Sequence, residues 1–153
     1  MARALTAVGA ALVIVIGLLA LAVYLTRDEE GFAVDNLLAE DITRAIGTAE
    51  ERGEDVDLGE VADFAWDEVV IAERDATRDQ VSDELGHEWR GDLRFRTGDL
   101  LIFVNEGRAT RFADYRGDGR FEGVERPFAR LARDDAVFTV RALVIRPRAA
   151  PRG

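Results

Sequence analysis

The segment Asp114-Tyr115-Arg116-Gly117-Asp118-Gly119-Arg120-Phe121-Glu122-Gly123-Val124-Glu125 places acids at its first, fifth, ninth and twelfth positions, glycine at the sixth and an apolar residue at the eighth. That spacing belongs to calcium loops, where carboxylate oxygens surround a hard cation and the glycine permits a sharp turn. Two features oppose the reading. Arg116 puts a cation at the third position, where a ligand is required, and the flanks read as strands instead of the helices the motif demands. A plain Gly-Asp-Gly turn accounts for the same residues, and no metal is expected.

The remaining chemistry is sparse. There is no cysteine, which excludes disulfides, thiolate nucleophiles and thiolate metal sites. His87 is the single histidine; it follows Gly86 at a helix end, where the dipole favours a cation, and no nucleophile motif stands near it to make it a general base. Acid pairs such as Asp67-Glu68 and Asp83-Glu84 would serve glycoside hydrolysis only if their carboxyls converged, and adjacent residues on a strand face opposite ways. No catalytic or cofactor-binding residue is assigned, and the chain is read as a non-enzyme. Trp66, Trp89 and Phe103 are candidates for an exposed recognition patch, since interfaces favour aromatics. Burial in the core is the competing reading and the commoner fate of such residues.

What must position these residues is a strand and a helix between Phe64 and Gly86. Trp66 to Ala72 is short, apolar and β-branched at Val69, Val70 and Ile71, which suits a buried strand. Thr77 and Gln80 form a capping box, Val81 and Leu85 share a face four apart, and Gly86 supplies a left-handed stop. Upstream, Phe32 to Arg52 reads as an amphipathic helix with Leu38, Ile42, Ala45, Ile46 and Ala49 in one stripe, stopped by Gly53 and weakened by Gly47. Glu54 to Glu60 is an acidic connector with at most one helical turn near Leu58. Downstream the period becomes that of strands: Trp89 to Phe95, Leu100 to Val104, Arg108 to Tyr115 after the Asn105-Glu106-Gly107 turn, and Ala136 to Ile145. Along Arg108 to Tyr115, alternation puts Ala109, Arg111, Ala113 and Tyr115 on one side and Thr110, Phe112 and Asp114 on the other.

All twenty basic residues are arginine, and the formal charge of −10 argues against affinity for nucleic acid. From Asp28 to Glu88 there are 21 acids and four arginines, a net of −17; from Trp89 to Gly153 there are nine acids and 14 arginines, a net of +5. The halves either neutralise one another within one domain or leave an acidic face that selects a basic partner.

Leu5 to Leu25 is 21 residues without a charge, enough at about 1.5 Å per residue to cross a hydrocarbon core of about 30 Å. A helix is the form that satisfies such a backbone in lipid. Arg3 precedes the segment and Asp28-Glu29-Glu30 follow Arg27, which favours a cytoplasmic N-terminus with the rest outside. A signal peptide cleaved after Ala22 is the alternative; the length of the apolar run favours an uncleaved anchor.

The run Phe64-Ala65-Trp66-Asp67, the capped helix closing in Leu85-Gly86, Trp89, and Leu101-Ile102-Phe103-Val104-Asn105-Glu106-Gly107-Arg108 resemble a group of small, membrane-anchored bacterial (actinobacterial-like) proteins of unknown function. The resemblance covers about Val56 to Val140. More distantly, the T-x-D-Q-V-x-x-x-L-G helix at Thr77 to Gly86, followed by a meander, is similar to the SmpA/OmlA-like fold of an outer-membrane assembly lipoprotein and of β-lactamase inhibitor proteins. Those relatives imply protein binding and no catalysis. The chain departs from the lipoprotein by lacking a cysteine to carry lipid, so that role is not carried over.

Together these readings give an α+β fold, with an N-terminal transmembrane helix and then helices packed on a small antiparallel β-meander. The expected organisation is a membrane anchor over 1–27, a juxtamembrane amphipathic helix and acidic connector over 28–55, an α+β extracytoplasmic domain over 56–146 and a disordered tail over 147–153. The expected address is the cell membrane, single-pass, with membrane contact through Leu5 to Leu25. The expected function is protein binding or envelope association, with a secreted inhibitor-like module or a carboxylate-dependent hydrolase as alternatives.

Overall fold

The computed structural model describes residues 34–94 and 97–148. The chain divides after Gly31, and every described residue belongs to the second unit. In order, the elements are α1 (Asn36–Arg52), β1 (Asp55–Asp57), α2 (Leu58–Val61), β2 (Glu68–Ala72), α3 (Arg78–Leu85), β3 (Leu100–Asn105), β4 (Arg108–Asp114), β5 (Arg120–Phe121), β6 (Phe128–Ala132), a 3₁₀ turn at Arg133–Asp135, β7 (Val137–Arg141) and β8 (Val144–Pro147). They build two four-stranded sheets, ordered β4-β3-β2-β6 and β1-β7-β8-β5.

This corrects the expected fold class. The described chain is mostly β, with two sheets where one small meander was expected. The second sheet also contains a parallel pair, β5 with β8. Among the described residues no helix is long and apolar enough to cross a membrane. The expected transmembrane helix, single-pass address and membrane assignment therefore find no support in the described structure. The segment Leu5 to Leu25 and the site after Ala22 lie outside the described residues.

The first sheet is buried on both faces, which explains why its strands are nearly continuous apolar runs. Val69, Ile71, Leu101, Phe103, Ala129 and Leu131 point into a core shared with Leu38, Ile42 and Ile46 of α1 and with Phe138, Val140 and Ile145 of the second sheet. Val70, Ala72, Leu100, Ile102 and Val104 point the other way, beneath Val81 of α3 and Trp89. The central strand β2 pairs antiparallel with β3 and β6, Val70 lying opposite Ile102 and Arg130.

The two long helices end as their sequences dictate. In α1 the Asp35 carboxylate accepts from Leu38 N–H (3.0 Å) and Gly53 closes the helix with φ +69°. In α3, Thr77 Oγ1 accepts from Gln80 N–H (3.3 Å) and Gln80 Oε1 from Thr77 N–H (2.8 Å), with Gly86 at φ +73°.

Three local expectations are corrected. Trp89 to Arg94 is an irregular loop, because side chains of α3 hold its backbone in place of a neighbouring strand. Ser82 Oγ accepts from Trp89 N–H (2.9 Å), and the Arg78 guanidinium donates to the carbonyls of Trp89 (2.8 Å) and Gly91 (3.2 Å). Alternation in β4 fails because a bulge falls at Thr110: Phe103 faces Arg111 while Val104 faces Ala109. Ala109 and Phe112 therefore serve the same face of the sheet. The expected strand Ala136 to Ile145 is a hairpin turning at Ala142 and Leu143, both with positive φ (+50° and +63°). The second strand of this hairpin extends to Pro147, into the expected tail; residues 149–153 lie outside the described residues.

Candidate functional site

Trp66, Trp89 and Phe103 are all core residues, exposed by 4%, 1% and 0%. Trp66 and Phe103 meet edge to face at 5.1 Å between the sheets. Trp89 lies on the other side of the first sheet, edge to face with Phe112 at 4.9 Å. They form no common surface patch.

The calcium-like segment folds around its own arginine. The nearly buried Asp114 carboxylate accepts from Arg116 Nε (3.0 and 3.2 Å), while Arg116 also donates to Asn36 Oδ1 (2.6 Å). The bond to Asp114 holds the Arg116 pKa above its ordinary value. Glu122 is taken by Arg146 (2.8 Å). Among the described residues no group of three or more His, Cys, Asp or Glu is placed to hold a metal.

Asp67 and Glu68 split as strand geometry requires, whereas Asp83 and Glu84 lie on α3 and not on a strand. Asp67 Oδ2 accepts from Glu106 N–H (2.9 Å), whereas Glu68 binds Arg130 (2.8 Å), which also reaches Glu84 (3.4 Å). Burial opposes charge on Arg130, yet these two carboxylates hold its pKa above the ordinary value. His87 is exposed, its Nδ1 3.1 Å from Leu85 O.

A cleft of about 520 Å³ does gather Glu73, Asp75, Asp99, Asp118 and Glu122, and His87 is not part of its wall. Of these acids, Asp99 already accepts from Arg126 (3.0 Å) and from Arg74 N–H (3.3 Å). The cleft wall includes Tyr115, whose pKa burial pushes up while a bond from Gly119 N–H (3.3 Å) works against that rise.

Three arginines of the basic half meet acids of the acidic half. Arg111 pairs with Asp35 (3.2 Å), Arg130 with Glu68 and Glu84, and Arg148 with Asp55 (3.5 Å).

Several acids of the acidic half border a groove of about 420 Å³ between α1 and β1. Asp41, Ala45 and Thr48 form its helical wall, Val56 and Val61 contribute apolar surface, and Glu54, Asp55, Asp57 and Glu60 surround it. Three of these acids are already paired: Asp41 with Arg44, which itself lines the groove (2.7 Å), Glu54 with Arg52 (4.0 Å) and Asp55 with Arg148 (3.5 Å). Among the described residues, no ion pair reaches Glu60 or Asp57; the Asp57 carboxylate instead accepts from Gly59 N–H (2.7 Å).

Among the described residues, the strand bordering this groove has an open edge. β1 ends its sheet, paired on one side with β7, Val56 opposite Phe138. Leu58 N–H donates to Ala136 O (3.0 Å) in the same register. Bonded pairs alternate along an antiparallel ladder, so Leu58 and Val56 are the residues bonded to β7; Asp55 turns its N–H and C=O, and Asp57 its N–H, to the open side, the Asp57 carbonyl serving the first turn of α2. Glu54 to Glu60, expected as a connector, contains β1; its only local signal is the alternation Asp55-Val56-Asp57, too short at three residues to stand out.

Comparison with protein-family models, with curated proteins and with solved structures found no match for this chain.

Proposed function

We propose that this protein is a binding module whose contact site for another protein is the groove between α1 and β1. The observation that carries the reading is the coincidence, in one place, of an open strand edge, an apolar floor and two acids, Asp57 and Glu60, that no ion pair reaches among the described residues. An extended chain gains main-chain bonds from a free sheet edge and specificity from the side chains beside it.

The test is selection of displayed random peptides on the full chain, with Thr48→Trp as the filled-groove control. Enriched peptides that lose binding to Thr48→Trp support the reading. Enriched peptides indifferent to that change would move the contact site elsewhere, and absence of enrichment would remove the binding reading.

A further inference from the structure

We infer that the occupant of this groove is an extended segment of a partner protein, added as a strand along β1 and carrying arginine or lysine at alternate positions. The inference rests on the binding reading above and names the partner's chemistry.

The backbone argument fixes the form of the occupant. Asp55 presents both its N–H and its C=O outward from the sheet edge and Asp57, two residues on, its N–H, while the Asp57 carbonyl accepts the first bond of α2. The groove beside them is long enough in chain terms to run from Asp41 to Thr48 on the helical wall, about two turns. A helix docking there would leave the outward groups of β1 unmatched, whereas a strand pairs with them.

The side-chain argument fixes its charge and spacing. Val56 is buried in the core, so Asp55 and Asp57, two apart, share the outer face of the sheet. Opposite charges directly across a strand pair attract, and like charges repel. Arginine or lysine at every second place of the added strand would therefore stand against Asp55 and Asp57, with Glu60 beside them. The chain itself supplies one instance: Arg148 sets its guanidinium 3.5 Å from Asp55. Short, charged edge strands also protect sheets from indiscriminate pairing; the same aspartates that repel an acidic edge admit a basic one.

The experiment uses the full chain and three capped peptides of equal length: arginine alternating with valine, the same residues with the arginines contiguous, and the alternating peptide N-methylated on the amides that would face β1. Binding is read by titration across a salt series, and amide exchange of Asp55 and Asp57 is followed by NMR. The alternating peptide is expected to bind best and to lose affinity as the Debye length falls from about 10 Å at 0.1 M salt to about 3 Å at 1 M. N-methylation is expected to weaken it about two- to tenfold per lost bond. Asp55 and Asp57 amides should become protected, and Thr48→Trp and Asp55→Asn should each reduce binding without changing the fold seen by circular dichroism.

Equal binding of the alternating, contiguous and N-methylated peptides would overturn the strand-addition inference, leaving charge attraction alone. Failure of every arginine peptide, with displayed neutral peptides still dependent on Thr48, would overturn the inference and leave the binding reading standing. Failure of all peptides to depend on the groove would overturn both.

Discussion

The guanidinium of Arg133 lies 4.8 Å above the ring of Trp66. From there it donates to the carbonyls of Gly59 (2.8 Å) and Phe64 (3.2 Å), so one side chain caps a core tryptophan and ties α2 to the loop before β2. An ammonium cannot stack and fork in this way. Arg133→Lys is expected to destabilise the chain by about 1 to 3 kcal/mol, read as a lower urea midpoint. An unchanged midpoint would show the contacts to be idle.

Gly91 sits against Trp89, and a Cβ there would strike the Trp89 ring and come within 3.0 Å of Phe112. Gly91→Ala should therefore cost about 1 to 3 kcal/mol through overpacking. Thermal unfolding at matched pH checks it. A neutral result would mean that the Trp89 loop relaxes outward, which near-ultraviolet circular dichroism of the tryptophans would reveal.

Leu143 holds φ +63° in the β7–β8 turn with its side chain half exposed. A left-handed conformation costs a non-glycine residue about 1 to 2 kcal/mol, and little burial is lost with the side chain. Leu143→Gly is expected to raise stability by about 1 kcal/mol. The bond from residue 143 N–H to Glu50 Oε1 (2.8 Å) is retained in the variant. A lower melting temperature for Leu143→Gly would refute the strain argument.

Tyr115 gives a pH signature. Burial raises its pKa, so in the window above about pH 10 the unfolded phenol ionises while the folded one keeps its proton. The folded state then binds more protons than the unfolded one, and stability falls as pH rises through that window. Below it the contribution is fully present. Tyr115→Phe should cost about 0.5 to 1.5 kcal/mol at neutral pH by releasing Gly119 N–H, and should flatten the alkaline decline. A decline of unchanged slope in the variant would assign it to other groups.

Local signals in the chain determined much of this architecture. The capping box at Thr77 and Gln80, the glycine stops at Gly53 and Gly86, the Asn105-Glu106-Gly107 turn and the apolar strands β2 and β3 were legible because each depends on residues within a few positions of one another. The second sheet was not. β1 has three residues and β5 has two, below the length at which alternation is recognisable, and both exist only because β7 and β8 pair with them. The turn at Ala142 and Leu143 carries neither glycine nor asparagine, so no local preference announced it; the strands on either side impose it. The Trp89 loop has the composition of a strand, yet Arg78 and Ser82 claim its backbone from a helix earlier in the chain. The candidate site follows the same division. Composition supplied the acids of Glu54 to Glu60, and charge counting showed that the two halves attract. Only the tertiary structure decided which acids meet arginines and which border an open edge, because pairing within about 4 Å depends on the path of the whole chain and not on its order.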